Sequence, residues 1–535
     1  MNPFYERNHH VLNSEYNIFF EELLDMNDQE FEDWVKNLRK AMIESWDTYG
    51  CPARSGRTES QIIDTFNKLS AHSVHEFTHS DELTDVDDDV VINSARAGTE
   101  VDQWFSNMMQ TRINYTQKDD GYSVYDMLKE DKYLPRMLKG SKRHFRKDSF
   151  YHYSSTIQKN NKKSGLIACK TGLEWVKEFY SNPKIFEDYG FWLSEQETKE
   201  GKSTGYYQVE QSDQLCLSAD DIIGLTKMNG SPITLSKRAL ANIDTNDLKD
   251  DCIYLIRFFK KEQKIFPKGF TAFKIGYIQV AVNFPPMTAK YLYERYTEHC
   301  KEQDRIVIYD PSCGWGGRIL GAMSVRDDRH IHYVGTDPNP DNIIPSVDTT
   351  PSISKYEHLA NFFNTKTYRG NPFFSSTNTY HVFQEGSEEV GKHPDFQQYR
   401  GEMDFIFTSP PYFNREAYSE DENQSYKKFS SYESWRDGFL RPTLETCVEY
   451  LKSERYLLWN IADLLIGKEY LPLEKDSRDI LESLGMEFKY VLQMAMASMP
   501  GQNRLNEDGI PTCKNYCKVD GTYRKTEPIF VFYKP

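Results

Sequence analysis

The chain has 535 residues, too long for one hydrophobic core at roughly 100–200 residues per domain. Hydrophobic residues make up 38% and there are 29 glycines, an apolar share just under the usual level of about 45–50%, which excludes a membrane-embedded chain and a wholly disordered one. With 65 Lys and Arg against 81 Asp and Glu the net charge is −16, which excludes a protein that coats nucleic acid non-specifically.

The segment MNPFYERNHH has neither the basic start nor the apolar core of a signal peptide, and no apolar run approaches the ~18 residues of a spanning helix. A cytoplasmic protein without membrane contact is therefore expected. Residues 14–70 carry apolar side chains at helical spacing, as in Phe19, Leu23, Phe31, Trp34, Val35, Leu38 and Met42. Residues 1–128 hold 10 basic against 25 acidic residues, with a dense run at Asp81, Asp85, Asp87, Asp88 and Asp89. This acidic, largely helical region could repel DNA, bind a protein partner or keep the chain soluble.

Charge reverses in residues 129–170, with 12 basic against 3 acidic residues. Here Lys142, Arg143, Arg146 and Lys147 alternate with Phe145, Phe150, Tyr151 and Tyr153. Cations neutralise phosphates and aromatic faces stack on unpaired bases, so the mixture suits nucleic-acid contact; a solvated face over core aromatics is the plainer reading. Residues 129–264 form the candidate target-recognition region.

From about residue 265 the texture becomes that of an α/β domain. Helical YLYERYTEHC precedes RIVIYD, HYVGTD, TYHVFQEG, MDFIFTSPP, RYLLWNIAD and EPIFVFYK, short β-branched and aromatic runs mostly separated by helix-length stretches. In such sheets ligands bind at the carboxyl ends of the strands. The run IVIYDPSCGWGGR ends a strand at Asp310 and follows it with Cys313, Gly314, Gly316 and Gly317 before a helix. Glycines let a ligand approach backbone N–H groups at a helix start. Asp337 ends the next strand about 20 residues on, where a carboxylate accepts from ribose hydroxyls, so the pair reads as a pocket for an adenosine-containing cofactor.

In MDFIFTSPPYFN, Pro410 and Pro411 stiffen the corner after a buried strand. The Ser409 hydroxyl and the Pro410 carbonyl offer two acceptors to an exocyclic amino group, and Tyr412 offers a stacking face. A plain strand-ending turn is the alternative. Cys513 and Cys517 lack a second Cys or His pair nearby, and the nine cysteines are scattered, so neither a metal site nor a disulfide framework is expected.

DPSCGWGGR followed by TSPPYFN resembles the amino-group DNA methyltransferases, which act on cytosine N4 or adenine N6. NFPPMTAKYLYERY resembles the family's N-terminal cofactor motif and TYHVFQEGSEEV its third motif. The resemblance covers about residues 270–535. It implies a Rossmann-like, mainly parallel, seven-stranded S-adenosylmethionine-dependent methyltransferase sheet in a catalytic domain spanning 265–535. It places Phe284 and Pro286 at the methionine end of the cofactor and Gly386 and Ser387 near its adenine.

It also implies double-stranded DNA as substrate, with the target base flipped out, and a DNA-modification role such as restriction–modification. Ser312, Trp315 and Arg318 depart from the family's DPFxGxGT loop, and Ser387 stands where an acid is common. SPPY favours cytosine N4 over adenine N6. An RNA methyltransferase and a nucleic-acid-binding protein with a decayed methyltransferase fold are the alternatives.

Overall fold

The computed structural model describes most of residues 14–72, 98–141, 281–367, 378–496 and 516–535, together with a few short strands and single residues between them. Two compact units result, and neither follows chain order. One comprises residues 8–50 and 126–279, the other residues 1–7, 51–125 and 280–535. Part of the acidic N-terminal region thus belongs with the α/β sheet. The run Asp81–Asp89 and the basic stretch containing Lys142, Arg143, Phe145, Arg146, Lys147 and Tyr151 lie outside the described residues.

In the first unit the helix Asp28–Tyr49 is capped reciprocally. Asn27 Oδ1 accepts from the Gln29 and Glu30 N–H groups, and Glu30 Oε2 accepts from the Asn27 N–H at 2.8 Å. Phe31, Val35 and Leu38 are fully buried along one stripe of it. Arg39 pairs with Asp131 at 2.7 Å, next to the helix Leu134–Ser141. Later in the chain, Phe191–Glu197 and Ser203–Gln211 pair antiparallel.

The second unit is built on seven long strands: β1 Ile306–Asp310, β2 Ile331–Thr336, β3 Thr379–Phe383, β4 Met403–Thr408, β5 Leu451–Asn460, β6 Glu487–Ala495 and β7 Thr522–Lys534. Their order is β3-β2-β1-β4-β5-β7-β6. Strands β3 to β5 pair in parallel, and β7 runs antiparallel to both β5 and β6. Three short strands extend this sheet: Thr78–His79 and Val91–Asn93 beyond β6, and Tyr516–Val519 beside β7. Every residue of β1, β2 and β4 is buried, as a parallel sheet covered on both faces requires.

The chain leaves β1 for β2 and β3 on one side and returns to β4 on the other. Adjacent strands diverge there, so the carboxyl edge between β1 and β4 is the topological switch point.

The helix Pro286–Tyr296 opens on a proline at its first turn, where a missing N–H costs nothing, and packs on the helix Gly317–Met323. At Gly321 a Cβ would come within 2.7 Å of Ala289 Cβ, so glycine sets their close approach. The helix Glu59–Ala71 docks on Lys355–Thr367 by stacking Phe66 on Phe363 at 4.2 Å. Its carboxyl end is held by the buried Lys290, whose Nζ donates to the Leu69, Ser70 and His72 carbonyls at 3.2, 2.9 and 2.8 Å. No helix among the described residues is long and apolar enough to cross a membrane.

Candidate active site at the carboxyl edge

β1 ends in Asp310, only 1% exposed. Its Oδ2 accepts from Arg318 Nε at 2.7 Å and from the Tyr333 hydroxyl at 2.6 Å. Its Oδ1 accepts from Thr408 Oγ1 at 2.7 Å and the Ser312 N–H at 3.2 Å. Burying this charge pair is tolerable because its hydrogen bonding is so complete. The sequence reading places Asp310 among the cofactor residues. In the structure its carboxylate is buried and joins the end of β1 to the end of β4 and to Tyr333 within β2.

Arg318 also donates from Nη2 to the Ser312 carbonyl, and its guanidinium lies 5.7 Å from the Phe284 ring centre. Asn283 donates to the Trp315 carbonyl at 2.7 Å and accepts from the Gly317 N–H at 3.2 Å. The segment Asn283–Pro286 therefore grips the glycine loop.

Within that loop Gly314 and Gly316 have φ of 58° and 74°, the left-handed region that other residues enter at a cost. A Cβ at Gly316 would also fall 2.3 Å from the Phe105 ring. Phe105 is fully buried and also meets Tyr356 at 4.9 Å. Cys313 is buried, its sulfur against Gly335.

Asp337, one residue past β2, accepts from the Asn339 N–H at 2.8 Å, from Asn342 Nδ2 at 2.7 Å and from the Tyr356 hydroxyl. That hydroxyl is also 2.5 Å from the Gly314 carbonyl, so one phenol links the second strand's acid to the glycine loop. Burial raises the Asp337 carboxyl to about 6, although its three hydrogen bonds pull the other way. After β3, the Gly386 carbonyl accepts from the Glu389 and Val390 N–H groups, and the buried Ser387 hydroxyl lies 2.9 Å from Thr443 Oγ1.

The proline corner begins directly after Thr408. The Pro411 carbonyl accepts from the Phe413 N–H at 3.1 Å and the Tyr412 carbonyl from the Arg415 N–H at 2.9 Å. Phe413 has φ of 49°, rare for a bulky side chain and the kind of strain that collects at functional sites. Its buried ring, packed against Tyr432 and Trp435, holds it there.

The half-buried Tyr412 donates its hydroxyl to Glu527 Oε1 at 2.7 Å, with the Asn460 carbonyl at 3.3 Å. Its phenol pKa lies well above the usual value, raised by burial and by the Glu527 charge, against a hydrogen bond from Ser409 that lowers it. The chain then turns back to put the Tyr418 ring 5.9 Å from Trp315, while the Tyr418 hydroxyl donates to Glu416 at 2.6 Å.

Ser409 to Tyr412 thus directly follow β4, and Pro311 to Gly316 directly follow its neighbour β1, which Asp310 ends. Phe284, Pro286 and Asp337 border the same edge. Thr408, Tyr356, Phe105, Asn283 and Glu527 are site residues that the motifs do not single out. Thr408, Asn283 and Glu527 head the runs TSPPYFN, NFPPMTAKYLYERY and EPIFVFYK, while Phe105 and Tyr356 lie outside every quoted run.

No protein-family model matches the chain, and no curated protein matches it. Solved structures that resemble it include an S-adenosylmethionine-dependent methyltransferase from Methanosarcina mazei, 12% identical over 44% of this chain and 96% of that one, with a TM-score of 0.23. Another is a candidate DNA modification methylase from Thermus thermophilus complexed with S-adenosyl-L-methionine, 17% identical over 28% of this chain and 54% of that one, TM-score 0.19. A third is TrmN from Thermus thermophilus, 10% identical over 54% of this chain and 58% of that one, TM-score 0.25. These likenesses are slight, and the strand order with its antiparallel β7 decides the matter. The fold is that of a Rossmann-like methyltransferase.

Proposed function

We propose that this chain is an S-adenosylmethionine-dependent methyltransferase that acts on the exocyclic amino group of a base in DNA, with cytosine N4 favoured over adenine N6. The hydrogen bond between Thr408 and Asp310 carries this reading. It holds the TSPPY corner and the glycine loop on neighbouring strands of one carboxyl edge, where an acceptor amine and a methyl donor must meet.

The residues suit such a donor. Gly314 and Gly316 leave backbone open at a helix start, and Asp337 supplies acceptors for ribose hydroxyls. Phe284 and Pro286 border the methionine end, and Cys313, Gly386 and Ser387 complete the surround. When bound, the donor supplies an electrophilic methyl group.

Ser409 Oγ and the Pro410 carbonyl accept the two hydrogens of the amine and turn its lone pair out of the ring plane. Pro410 and Pro411 keep those acceptors fixed, so positioning supplies most of the acceleration. Tyr412 offers its ring face to the everted base, offsetting part of the few kcal/mol that eversion costs. Lys142, Arg143, Arg146 and Lys147, with Phe145 and Tyr151, contact the polymer.

Mass spectrometry of nucleosides from DNA and from RNA incubated with the chain and S-adenosylmethionine tests this. N4-methylcytosine in DNA is the expected product. N6-methyladenine would move the target base, methylated RNA would move the polymer, and no product together with no donor binding would overturn the reading. Neutralising the four cations is expected to weaken DNA binding and leave donor binding unchanged.

A further inference from the structure

The Tyr412 hydroxyl is fixed from a strand distant in sequence. Glu527, in β7 and 115 residues on, accepts from it at 2.7 Å, beside the end of β5. Asn460, at that strand end, places its carbonyl 3.3 Å from the same hydroxyl and donates from Nδ2 to the Pro528 carbonyl at 2.9 Å. Asn460 Oδ1 is buried and finds no donor among the described residues. A phenol held at its oxygen cannot swing about its Cα–Cβ bond, so the place of the ring is set by β7 as well as by the proline corner. The sheet order puts β7 beyond β5, on the far side of β4 from the glycine loop. Glu527 therefore acts on the half of the edge where the acceptor is handled.

Resting on the function proposed above, we propose that Glu527 is a positioning residue for the acceptor base: through its hydrogen bond to Tyr412 it locks the ring on which the everted base stacks, and it takes no part in holding the methyl donor. Burial raises the carboxyl's pKa, with the Tyr412 hydrogen bond and Lys525 opposing, and an amide at this position keeps a carbonyl oxygen to accept from the phenol. Glu416, across the corner, makes the parallel bond to Tyr418, whose ring meets Trp315 on the donor side. The corner's two tyrosines are thus each steered by a glutamate, one toward each substrate.

The test compares the full-length wild type with Glu527→Ala, Glu527→Gln and Tyr412→Phe. Each is assayed with radiolabelled S-adenosylmethionine and unmethylated genomic DNA, and donor affinity and melting temperature are measured on the same samples. Glu527→Ala is expected to lower turnover on DNA by about tenfold or more, since small misplacements of a reacting group have effects of that order, while donor affinity stays within about twofold. Glu527→Gln, which still accepts from the phenol, is expected to restore most of that loss. Tyr412→Phe combined with Glu527→Ala is expected to be no worse than either alone, because both cut one bond. Unchanged turnover in Glu527→Ala overturns the inference. So does a fall in donor affinity and melting temperature that tracks the loss of turnover, since that marks a merely structural bond. A wild type that transfers no methyl to any nucleic acid overturns the proposed function itself, and the inference with it.

Discussion

Thr408 Oγ1 donates a hydrogen bond to Asp310 Oδ1 across 2.7 Å, tying the carboxyl end of β4 to that of β1. Thr408→Val preserves shape and removes this bond alone. Asp310 keeps Arg318 and Tyr333, so the expected loss is about 1–2 kcal/mol in urea unfolding, with weaker donor binding as the two strand ends loosen. Asp310→Ala is expected to cost about 3–5 kcal/mol, because the buried Arg318 is left without its counter-charge. Equal losses for the two variants would contradict this division of roles.

At Gly316 two penalties coincide, a left-handed backbone and the Phe105 ring where a Cβ would go. Gly316→Ala is expected to destabilise the chain by more than the ~1 kcal/mol of backbone strain alone. Adding Phe105→Ala is expected to recover donor affinity, measured by calorimetry, relative to Gly316→Ala. A double variant no better than the glycine variant would show that the backbone term dominates.

The half-buried Asp337 and the buried His332 give opposite pH slopes. Asp337 is raised by burial from 3.8 to about 6, so the folded chain takes up its proton first and stability falls as pH rises across that window. His332 lies between Thr379 Oγ1 and the Tyr399 hydroxyl and is lowered from 6.5 to about 4 by burial, helped by Arg305 and His381. Charging it costs stability as pH falls through the same range. The two largely cancel in the wild type. His332→Gln is expected to show stability dropping with rising pH between about 4 and about 6, and Asp337→Asn the reverse, each by on the order of 2 kcal/mol in denaturant titrations. Parallel pH profiles in both variants would sink this account.

Lys290 ends the helix Glu59–Ala71 by donating to the Leu69 and Ser70 carbonyls of its last turn and to the His72 carbonyl just past it. Lys290→Met keeps the apolar stem, removes those three bonds and leaves Glu294 without its ion pair. Stability is expected to drop by about 1–3 kcal/mol, and limited proteolysis is expected to cut first near residues 69–72. Unaltered protection there would show that Phe66 on Phe363 holds the helix by itself.

Six of the seven long strands are legible as apolar runs, because a strand buried on both faces leaves an unbroken signature, as IVIYD and MDFIFT do. β6 is not among them. Its exposed Glu487 and Lys489 interrupt the apolar run, so EFKYVLQMA gives a diluted signal. The glycine loop and the proline corner can be read because their chemistry is local to the backbone. Phe105 over Gly316, Thr408 on Asp310 and Glu527 on Tyr412 cannot, since each depends on which distant strand or turn becomes a neighbour. The burial of the Asp310 carboxylate is of the same kind. Arg318 stands out in sequence as a departure from the family's loop, but its partner is visible only in three dimensions.

The interleaving of residues 51–125 with 280–535 governs how this protein can be made. Trp104 and Phe105 leave the ribosome long before the strands and loops that cover them, so the nascent chain carries exposed aromatic surface while more than 150 further residues are translated. A fragment cut at residue 265 would begin life with the opposite defect, a sheet whose glycine loop and flanking helix lack their cover. The half that carries the motifs is therefore not separable at the point where they begin, and the early segment is a founding part of it.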